Sequence, residues 1–334
     1  MIPDQYLSYP YQMRFIVTGG MGFIGSHFVD ILLENNHEIL LIDKMTYAAN
    51  PLNLSPEKQN AANLRIVDIA DDRRLNECAH IFGSVDYIFN FAAESHVDRS
   101  IENSHPFLDS NIKGTVNLLE LLRKGAAKKM IQVSTDEVYG SINSGSWSEA
   151  SSLIPNSPYS ASKASAEMMC NAYGHTFGLD IVITRCANNF GPRQSLEKFI
   201  PKSILSIING SSVQVYGNGK NRREWLSVID HCRALYLLAS NKSKHKVYNI
   251  SGIEFDNLEI VEKISEVFTN NETKIQFVSD RLGHDFRYSV NSERLENELG
   301  WKPIHTFEET LSSTVAWYKN NPIWIEESLR RLSQ

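Results

Sequence analysis

Short apolar runs alternate with longer amphipathic stretches through the first half of the chain. The apolar runs predict buried strands at residues 14–18, 38–42, 64–67, 87–91, 130–133 and 180–184. Apolar residues recur at helical spacing over residues 23–33, 106–124 and 158–177. Strands that alternate with helices predict an α/β fold with a Rossmann-type, doubly wound parallel sheet.

The regular alternation of strands and helices ends after residue 192, where the predicted elements become shorter and mixed. Helices are predicted at residues 199–208, 258–268, 292–299 and 307–318, and strands at residues 213–216 and 247–250. We interpret this part as a smaller mixed α/β C-terminal lobe. A strand and a helix within residues 225–237 are expected to return to the sheet. The predicted domains are therefore residues 13–187, with a return around residues 225–240, and residues 188–334.

Composition narrows the class of protein. The 334-residue chain has a net charge of −6, which argues against a nucleic-acid partner because no basic face is implied. Its four cysteines are scattered and its ten histidines lack metal-ligand spacing, so we predict neither disulfides nor a metal site. No apolar stretch is long enough to span a membrane, and residues 1–12 do not resemble a signal peptide. A location in the reducing cytoplasm is expected.

A glycine-rich loop follows the first predicted strand and opens the first predicted helix. Its glycines are Gly19, Gly22 and Gly25, and Asp43 follows the second predicted strand. This is the context of a dinucleotide fingerprint, in which glycines admit a pyrophosphate and the helix N-terminus stabilises its charge. Asp43 is expected to accept hydrogen bonds from the adenosine ribose and to repel a 2′-phosphate, which favours NAD over NADP. The alternative is a plain tight turn.

Two further motifs follow the fifth predicted strand. Thr135, Asp136 and Glu137 come just after it, at the end of a strand where α/β proteins place ligands. Tyr159 and Lys163 lie one helical turn apart, and we expect the lysine to lower the pKa of the phenol. Neighbouring carboxylates can split their pKa values, so that one serves as an acid and the other as a base. Taken alone, the carboxylates could form a solvated turn, and the Tyr/Lys pair could lie exposed on a helix.

Polar residues in the second half of the chain have two interpretations. They are Asn188, Asn189, Arg223, and the Arg281 and His284 of a single turn. Arginine suits bidentate contact with a phosphate group. These residues could therefore hold a diphosphate or a sugar, or they could be ordinary loop residues.

Taken together, the motifs resemble those of the extended short-chain dehydrogenases/reductases, and within them the dTDP-glucose 4,6-dehydratases. The resemblance covers residues 14–317, and its most specific part is the triplet of Thr135, Asp136 and Glu137. It implies NAD as cofactor, a nucleotide-sugar substrate that is expected to be dTDP-glucose, and a homodimer. It also implies that residues 13–187 bind NAD and that residues 188–334 mainly bind the nucleotide sugar.

The chemistry of that family implies a role for each catalytic residue. Tyr159, helped by Lys163, takes the proton of the C4 hydroxyl while NAD takes the C4 hydride. Thr135 hydrogen-bonds the C4 oxygen. Glu137 removes the C5 proton, and Asp136 protonates the C6 hydroxyl so that water leaves. Hydride then returns to C6, which gives a 4-keto-6-deoxy sugar and regenerates NAD.

The same resemblance implies which residues surround the two ligands. The implied cofactor-binding residues are Gly19, Gly22, Phe23, Ile24, Gly25, Asp43, Lys44, Thr46, Asp68, Ile69, Ala92, Ala93, Ser95, Ser134, Tyr159 and Lys163. The implied substrate-binding residues are Ser95, Thr135, Asn189, Glu197, Lys198, Arg223, Asn257, Arg281 and His284.

Some residues depart from the family pattern and leave the substrate open. Phe190 and Arg193 stand where relatives often carry tyrosines, and residues 227–229 differ near the arginine motif. UDP-glucose, UDP-N-acetylglucosamine and inversion at C5 are therefore alternatives. A 4-epimerase or a decarboxylase is a further alternative, although an epimerase does not need the elimination pair of Asp136 and Glu137. The last alternative is a non-catalytic NAD-binding regulator.

Overall fold

The computed structural model describes residues 12–241, 243–268 and 273–333. Of residues 1–12, which do not resemble a signal peptide, only Gln12 lies within these ranges. The strands are β1 (Arg14–Thr18), β2 (Glu38–Asp43), β3 (Arg65–Ile66), β4 (Val85–Asn90), β5 (Ala127–Thr135), β6 (Ile181–Cys186), β7 (Asn188–Phe190), β8 (Val213–Tyr216), β9 (Arg222–Ser227), β10 (Val247–Ile250), β11 (Ile253–Asp256) and β12 (Ile275–Val278). The helices are α1 (Phe23–Glu34), α2 (Pro56–Ala61), α3 (Asp72–Phe82), α4 (Val97–Glu102), α5 (His105–Phe107), α6 (Gly114–Arg123), α7 (Pro158–Phe177), α8 (Phe199–Ile208), α9 (Val228–Ser240), α10 (Asn257–Val267), α11 (Glu293–Leu299), α12 (Phe307–Asn320) and α13 (Pro322–Leu332).

Seven parallel strands form the large sheet, in the order β10-β6-β5-β4-β1-β2-β3. This arrangement confirms the predicted α/β class with a doubly wound parallel sheet. The strand order reverses between β1 and β4, and α/β proteins bind ligands at such a switch point, beyond the carboxyl ends of the strands. Side chains alternate between the two faces along β1, since Phe15 and Val17 enter one core and Ile16 enters the other.

Helices cover both faces of the large sheet. α1 and α9 pack together on one face, and α3, α6 and α7 pack on the other. The leucines of α6 recur at spacings of three and four residues, which places them in one buried stripe against the sheet. Burial of such stripes supplies most of the stability of helices in proteins.

Two assignments of strands to sheets are wrong. The sequence pattern assigns residues 247–250 to the smaller lobe, whereas β10 pairs in parallel with β6 at the edge of the large sheet. The strand near Trp225, expected to return to the large sheet, is β9, which pairs with β7 and β11 in a separate three-stranded sheet. The helix expected after it does return, because α9 packs against α1. Periodicity along the chain reports which face of a strand is buried, but not which strand lies beside it.

The helix predicted at residues 106–124 is interrupted, because residues 108–113 form a π-helical turn between α5 and α6. Asn111 in this turn donates from Nδ2 to the Glu94 carbonyl oxygen at 3.0 Å and to Ser162 Oγ at 2.8 Å. The Glu94 N–H donates in return to Asn111 Oδ1 at 2.9 Å. Such turns are frequent at functional sites. This one fixes the segment that follows β4 to α7.

The smaller lobe is built by the remaining strands and by helices from the second half of the chain. β8 and β12 form a two-stranded parallel sheet. α8, α10 and α12 enclose an apolar core that includes Phe190, Trp225 and Phe307. Across the residues given above, no helix is both long and apolar enough to cross a lipid bilayer.

Candidate active site

A cleft of about 850 Å³ lies between the smaller lobe and the carboxyl ends of β1, β2, β4, β5 and β6. Its volume is in the range of small-molecule sites. Every residue predicted to bind a cofactor or a substrate lines it, as do four of the five predicted catalytic residues. Asp136 is the exception, because it is only 2% exposed. The fold therefore brings together motifs that lie far apart in the sequence.

The glycine loop at the sheet end of the cleft is closely packed. Gly19 has a φ of +72°, and a Cβ there would lie 2.5 Å from the Ala92 nitrogen. A Cβ on Gly25 would lie 2.4 Å from the Gly19 oxygen. Gly22 precedes α1 without a side-chain cap, so the backbone N–H groups of the first turn are left for a ligand. This combination fits the diphosphate of a dinucleotide.

Asp43 joins this loop to the segment that follows β2. Its Oδ2 accepts from the Met21 N–H at 2.9 Å, and its Oδ1 accepts from the Met45 N–H at 2.7 Å. Burial raises the pKa of this carboxyl group, and the two backbone donors oppose the rise. Each oxygen keeps a second lone pair, so Asp43 can still accept the ribose hydroxyls expected from the sequence. Next to it, Lys44 Nζ donates to Ser110 Oγ at 2.8 Å.

Thr135 ends β5 and caps a short 3-10 turn, Asp136–Tyr139. Its Oγ1 accepts from the Glu137 N–H at 3.3 Å and donates to Asp136 Oδ1 at 3.2 Å. Within the part of the chain that the structure describes, Asp136 Oδ2 is buried without a hydrogen-bond partner. Burial, and then the charge of Glu137, raise the pKa of Asp136 well above its ordinary value. These surroundings favour the protonated form of Asp136.

Glu137 faces the cleft in a different environment from its neighbour. Burial raises its pKa, but the cationic side chains Arg223, Lys198 and Arg281 oppose the rise. For Asp136 the charges of Glu137 and Glu224 raise the pKa, and each has a larger effect than Arg223, which lowers it. Two adjacent carboxyl groups are thus held in surroundings that separate an acid from a base.

Tyr159 and Lys163 are buried on one face of α7, as their spacing predicts. The lowering of the Tyr159 pKa that was expected from Lys163 does not set the net direction in this structure. Burial raises the pKa of Tyr159 well above its ordinary value, and the charge of Glu137 adds to the rise. Lys163 Nζ instead donates to the Val133 carbonyl oxygen at 2.7 Å, and burial lowers the pKa of its ammonium group.

An ion pair behind β5 was not predicted from the sequence. Arg185 on β6 donates from Nε and Nη2 to Glu167 Oε2 on α7, at 2.9 and 2.6 Å. Ser134 Oγ donates to Glu167 Oε1 at 2.5 Å, and Arg185 Nη1 donates to the Tyr139 hydroxyl at 2.6 Å. The pair therefore joins α7, β5, β6 and the turn that carries the carboxylates. An arginine within the apolar run of a predicted strand is the signal that could have indicated it.

The smaller lobe contributes two arginines to the other end of the cleft. Arg223 Nη2 donates to the Asp285 carbonyl oxygen at 2.8 Å. Arg281 Nε lies 3.7 Å from the Asp98 carboxylate, and it is buried without a hydrogen-bond partner in the described part of the chain. The guanidinium groups are therefore held by backbone and charge contacts while donors remain for an anionic ligand.

The residues that precede α8 meet the segment that follows β4. Lys198 Nζ donates to the Ser95 carbonyl oxygen at 2.9 Å, and burial lowers the pKa of Lys198. Glu197 Oε2 lies 3.7 Å from His96 Nε2 and 3.6 Å from Arg99 Nε. These contacts hold the smaller lobe against the large sheet at the middle of the cleft.

Three further predicted residues supply amide and imidazole groups to the cleft wall. Asn189 Oδ1 lies 2.9 Å from His231 Nδ1, and Asn257 is the first residue of α10. His284 Nδ1 lies 2.6 Å from Asp280 Oδ1, and burial lowers the pKa of His284. Nowhere in the described ranges do three or more His, Cys, Asp or Glu side chains form a group that could hold a metal ion.

Comparisons with known proteins give matches along most of the chain. A profile of the family described as GDP-mannose 4,6 dehydratase matches residues 16–314. The dTDP-glucose 4,6-dehydratase of Streptomyces niveus is 42% identical, over 94% of this chain and 95% of that relative. The low-salt glycan biosynthesis protein Agl12 of Haloferax volcanii is 44% identical, over 92% of this chain and 98% of that protein. The crystal structure of a dTDP-glucose 4,6-dehydratase from Streptomyces venezuelae with NAD bound is 42% identical, has a TM-score of 0.89, and covers 93% of this chain and 98% of its own.

Proposed function

Because the chain belongs to the family described as GDP-mannose 4,6 dehydratase, we propose that it is an NAD-dependent nucleotide-sugar 4,6-dehydratase, a hydro-lyase that acts on dTDP-glucose. The observation that carries the proposal is the pair of Asp136 and Glu137 at the end of β5, beside the cleft that Tyr159 lines. Elimination of water needs both an acid and a base. Relatives at 42% identity that are named dTDP-glucose 4,6-dehydratase support the choice of sugar nucleotide.

NAD fits the residues at the sheet end of the cleft. The uncapped N-terminus of α1 and the glycine loop suit its diphosphate, and Asp43 suits the adenosine ribose. When bound, NAD accepts a hydride from the sugar and returns it. The proposed cofactor-binding residues are Gly19, Gly22, Phe23, Ile24, Gly25, Asp43, Lys44, Thr46, Asp68, Ile69, Ala92, Ala93, Ser95, Ser134, Tyr159 and Lys163.

The side chains of the cleft divide the proton transfers among them. Tyr159 in its phenolate form, with Lys163 one turn along α7, takes the proton of the C4 hydroxyl, and Thr135 hydrogen-bonds the C4 oxygen. The ketone at C4 acidifies the C5 proton, which Glu137 removes. Asp136 holds its proton on Oδ2, the oxygen without a partner, and gives it to the C6 hydroxyl, which leaves as water. C6 then receives the hydride and C5 receives a proton from Glu137. The net reaction oxidises C4, reduces C6 and releases one water molecule.

We assign the nucleotide sugar to the end of the cleft that the smaller lobe closes. Its proposed contacts are Ser95, Thr135, Asn189, Glu197, Lys198, Arg223, Asn257, Arg281 and His284. Residues 13–187, together with α9 and β10, would form the NAD-binding domain, and residues 188–334 would mainly bind the nucleotide sugar. The packing of α9 against α1 and the pairing of β10 with β6 support this division.

We further propose that the protein is a cytoplasmic homodimer. α6 and α7 pack side by side, and apolar residues stand exposed on the outer side of α7 and of the π-helical turn before α6. These residues are Leu108, Ala161, Met168 and Ala172. Two such helices can form a four-helix interface with a second copy of the chain. All four cysteines are free, which supports a reducing compartment.

The proposed function is tested first with dTDP-, UDP- and GDP-linked hexoses. We expect dTDP-glucose to lose one water molecule, as read by mass spectrometry, and NMR of the product gives the configuration at C5. Glu137→Gln keeps the size of the side chain but removes the base. Dehydration should then fall by about 10²- to 10⁴-fold, the usual contribution of a general base. Bound NAD should still be reduced, so the absorbance of NADH should rise and persist.

The matched control is Glu102→Gln, which changes an exposed carboxylate at the end of α4 and should leave dehydration unchanged. Normal dehydration by Glu137→Gln would show that the carboxylate pair is structural. A C4-epimerised sugar formed without loss of water would identify an epimerase instead.

A further inference from the structure

The last helix of the chain returns from the smaller lobe to the segment between β2 and α2. Arg331, in the last turn of α13, donates from Nε to the Ala49 carbonyl oxygen at 2.6 Å. Its Nη2 donates to the carbonyl oxygens of Met45 at 2.9 Å and of Thr46 at 3.2 Å. The side chain of Arg331 is only 13% exposed. One guanidinium group therefore gathers three carbonyl oxygens of a segment that has no helix or strand of its own over residues 44–50.

A second set of contacts links α13 to the glycine loop. Asn50 Nδ2 donates to Ser328 Oγ at 2.7 Å and to the Trp324 carbonyl oxygen at 3.2 Å. Trp324 Nε1 donates to Asn53 Oδ1 at 2.7 Å. Asn53 Nδ2 donates in turn to the Met21 carbonyl oxygen at 2.8 Å, and the Asn50 N–H reaches the same oxygen at 3.2 Å. Met21 is also the residue whose N–H meets Asp43.

The segment that Arg331 holds is one that a chain does not adopt readily. Met45 has a φ of +57°, in the left-handed region that side chains other than glycine rarely occupy. Its N–H donates to Asp43 Oδ1 while its carbonyl oxygen accepts from Arg331. Thr46, Ala48 and Ala49 of the same segment line the cleft. A segment that is strained and also faces a ligand has to be fixed by contacts outside it.

We propose that α13 acts as a C-terminal clasp, made of Trp324, Ser328 and Arg331, that pre-forms the adenosine end of the NAD site. Arg331 is a positioning residue in this arrangement, since its hydrogen bonds go to the backbone of the loop. The inference rests on the proposed function only in taking NAD as the ligand. Without the clasp, part of the binding energy of NAD is spent on ordering residues 44–50, so its affinity falls.

The test uses the purified full chain, stripped of cofactor, and calorimetric titration with NAD, ADP-ribose and dTDP. For Arg331→Met we expect the dissociation constants of NAD and ADP-ribose to rise by about tenfold. The affinity for dTDP should stay unchanged, because the hydrogen bonds of Arg331 go to residues 45, 46 and 49, at the NAD end of the cleft. The unfolding midpoint of the stripped protein should change little. A general loss of structure would weaken all three ligands alike.

The chain offers a matched control in the neighbouring residue. Arg330 is 59% exposed and pairs with Glu327 at 2.7 Å within α13, so Arg330→Met should leave all three affinities unchanged. Arg331→Lys keeps the charge but loses the planar fork that reaches three carbonyl oxygens, and it should weaken NAD by an intermediate factor of about three. The lysine variant also serves if the methionine variant does not fold.

The outcomes separate the clasp from the proposed function. If the wild-type chain binds NAD and both Arg331 variants bind it equally well, the clasp is refuted and the dehydratase proposal stands. If the variants lose dTDP affinity in parallel with NAD, Arg331 supports the whole fold and the specific role is refuted. If the wild-type chain binds neither NAD nor ADP-ribose, both the cofactor assignment and the clasp fall.

Discussion

The carboxyl group of Asp136 is buried beside the cleft, and its Oδ2 lacks a hydrogen-bond partner within the described ranges of the chain. Such a group favours its neutral form because burial penalises the charge. Burial raises the pKa of Asp136 well above its ordinary value of 3.8. The unfolded chain therefore releases this proton at a lower pH than the folded protein does. Folding stability is consequently lost as the pH rises from 3.8 toward the folded-state pKa.

Replacement of Asp136 by asparagine should therefore stabilise the fold while it damages catalysis. The amide side chain of this variant cannot ionise, so the variant does not lose folding stability as the pH rises. For the wild-type protein this loss is about 1.4 kcal/mol for each unit by which the folded-state pKa of Asp136 exceeds the ordinary one. The stability gained by Asp136→Asn should grow as the pH is raised above 3.8, up to the folded-state pKa. Urea unfolding at several pH values measures this difference.

The control for this measurement is Asp109→Asn, which changes an exposed aspartate of the π-helical turn and should follow the wild-type protein at every pH. A gain for Asp136→Asn that does not depend on pH would show that the carboxyl group is not strained by its charge. In that case the assignment of Asp136 as the proton donor would lose its physical basis.

At the scale of residues, the sequence was sufficient to predict which residues line the cleft, but not which contacts they make there. Gly22, Asp43, Glu137 and Tyr159 could be predicted to meet because each follows or opens a predicted element at the same edge of the sheet. The hydrogen-bond partner of Lys163 could not be predicted, because it is the backbone carbonyl oxygen of Val133 rather than a side chain. Every residue has a backbone carbonyl oxygen, so the residue type of the partner does not indicate such a contact.

At the scale of elements, the buried pair of Glu167 and Arg185 connects the two segments that carry the catalytic side chains. Glu167 lies one helical turn beyond Lys163 on α7, and Ser134 beside it precedes Thr135 on β5. Glu167→Gln leaves the guanidinium of Arg185 buried without its counter-charge. Removing one partner of a buried pair typically costs about 3–5 kcal/mol, and we expect a loss of this size in the free energy of unfolding by urea.

Two comparisons make this expectation specific. Glu77→Gln removes the partner of Arg73 on the surface of α3, where both side chains are exposed, and it should not shift the unfolding midpoint measurably. The double variant Glu167→Met with Arg185→Met removes both charges and should recover part of the loss. If Glu167→Gln alone is as stable as the wild type, the pair does not brace the catalytic elements.

Helices and strands could be predicted where the local pattern of apolar residues defines them. They could not be predicted where contacts with residues distant in the sequence determine the local conformation. The strands β1, β2, β4 and β5 are buried on both faces, so their continuous apolar runs identify them in any arrangement. The π-helical turn at residues 108–113 arises from contacts of Asn111 with the segment after β4 and with α7. The same residues read along the chain give an uninterrupted helix, because no local signal marks the extra residue.

At the scale of the whole molecule, the proposed association of two chains involves α7 and the π-helical turn. α7 is covered on its inner side by the sheet, whereas Met168 is 59% exposed on its outer side. Leu108, on the π-helical turn that packs against α7, is 47% exposed. Contiguous exposed apolar patches mark protein–protein interaction sites, and we propose that these residues form one. The same helices carry Tyr159 and Lys163, so association would also rigidify the catalytic side of the cleft.

We therefore expect light scattering at micromolar concentration to give twice the 37.9 kDa mass of the chain. Met168→Glu would place like charges opposite each other across the two-fold axis, and it should shift the mass toward that of the monomer. Ile81→Glu changes a residue of α3 that is 81% exposed and should leave the dimer intact. A wild-type chain that scatters as a 37.9 kDa monomer would refute the dimer. Dissociation by both glutamate variants would place the interface elsewhere or make it unspecific.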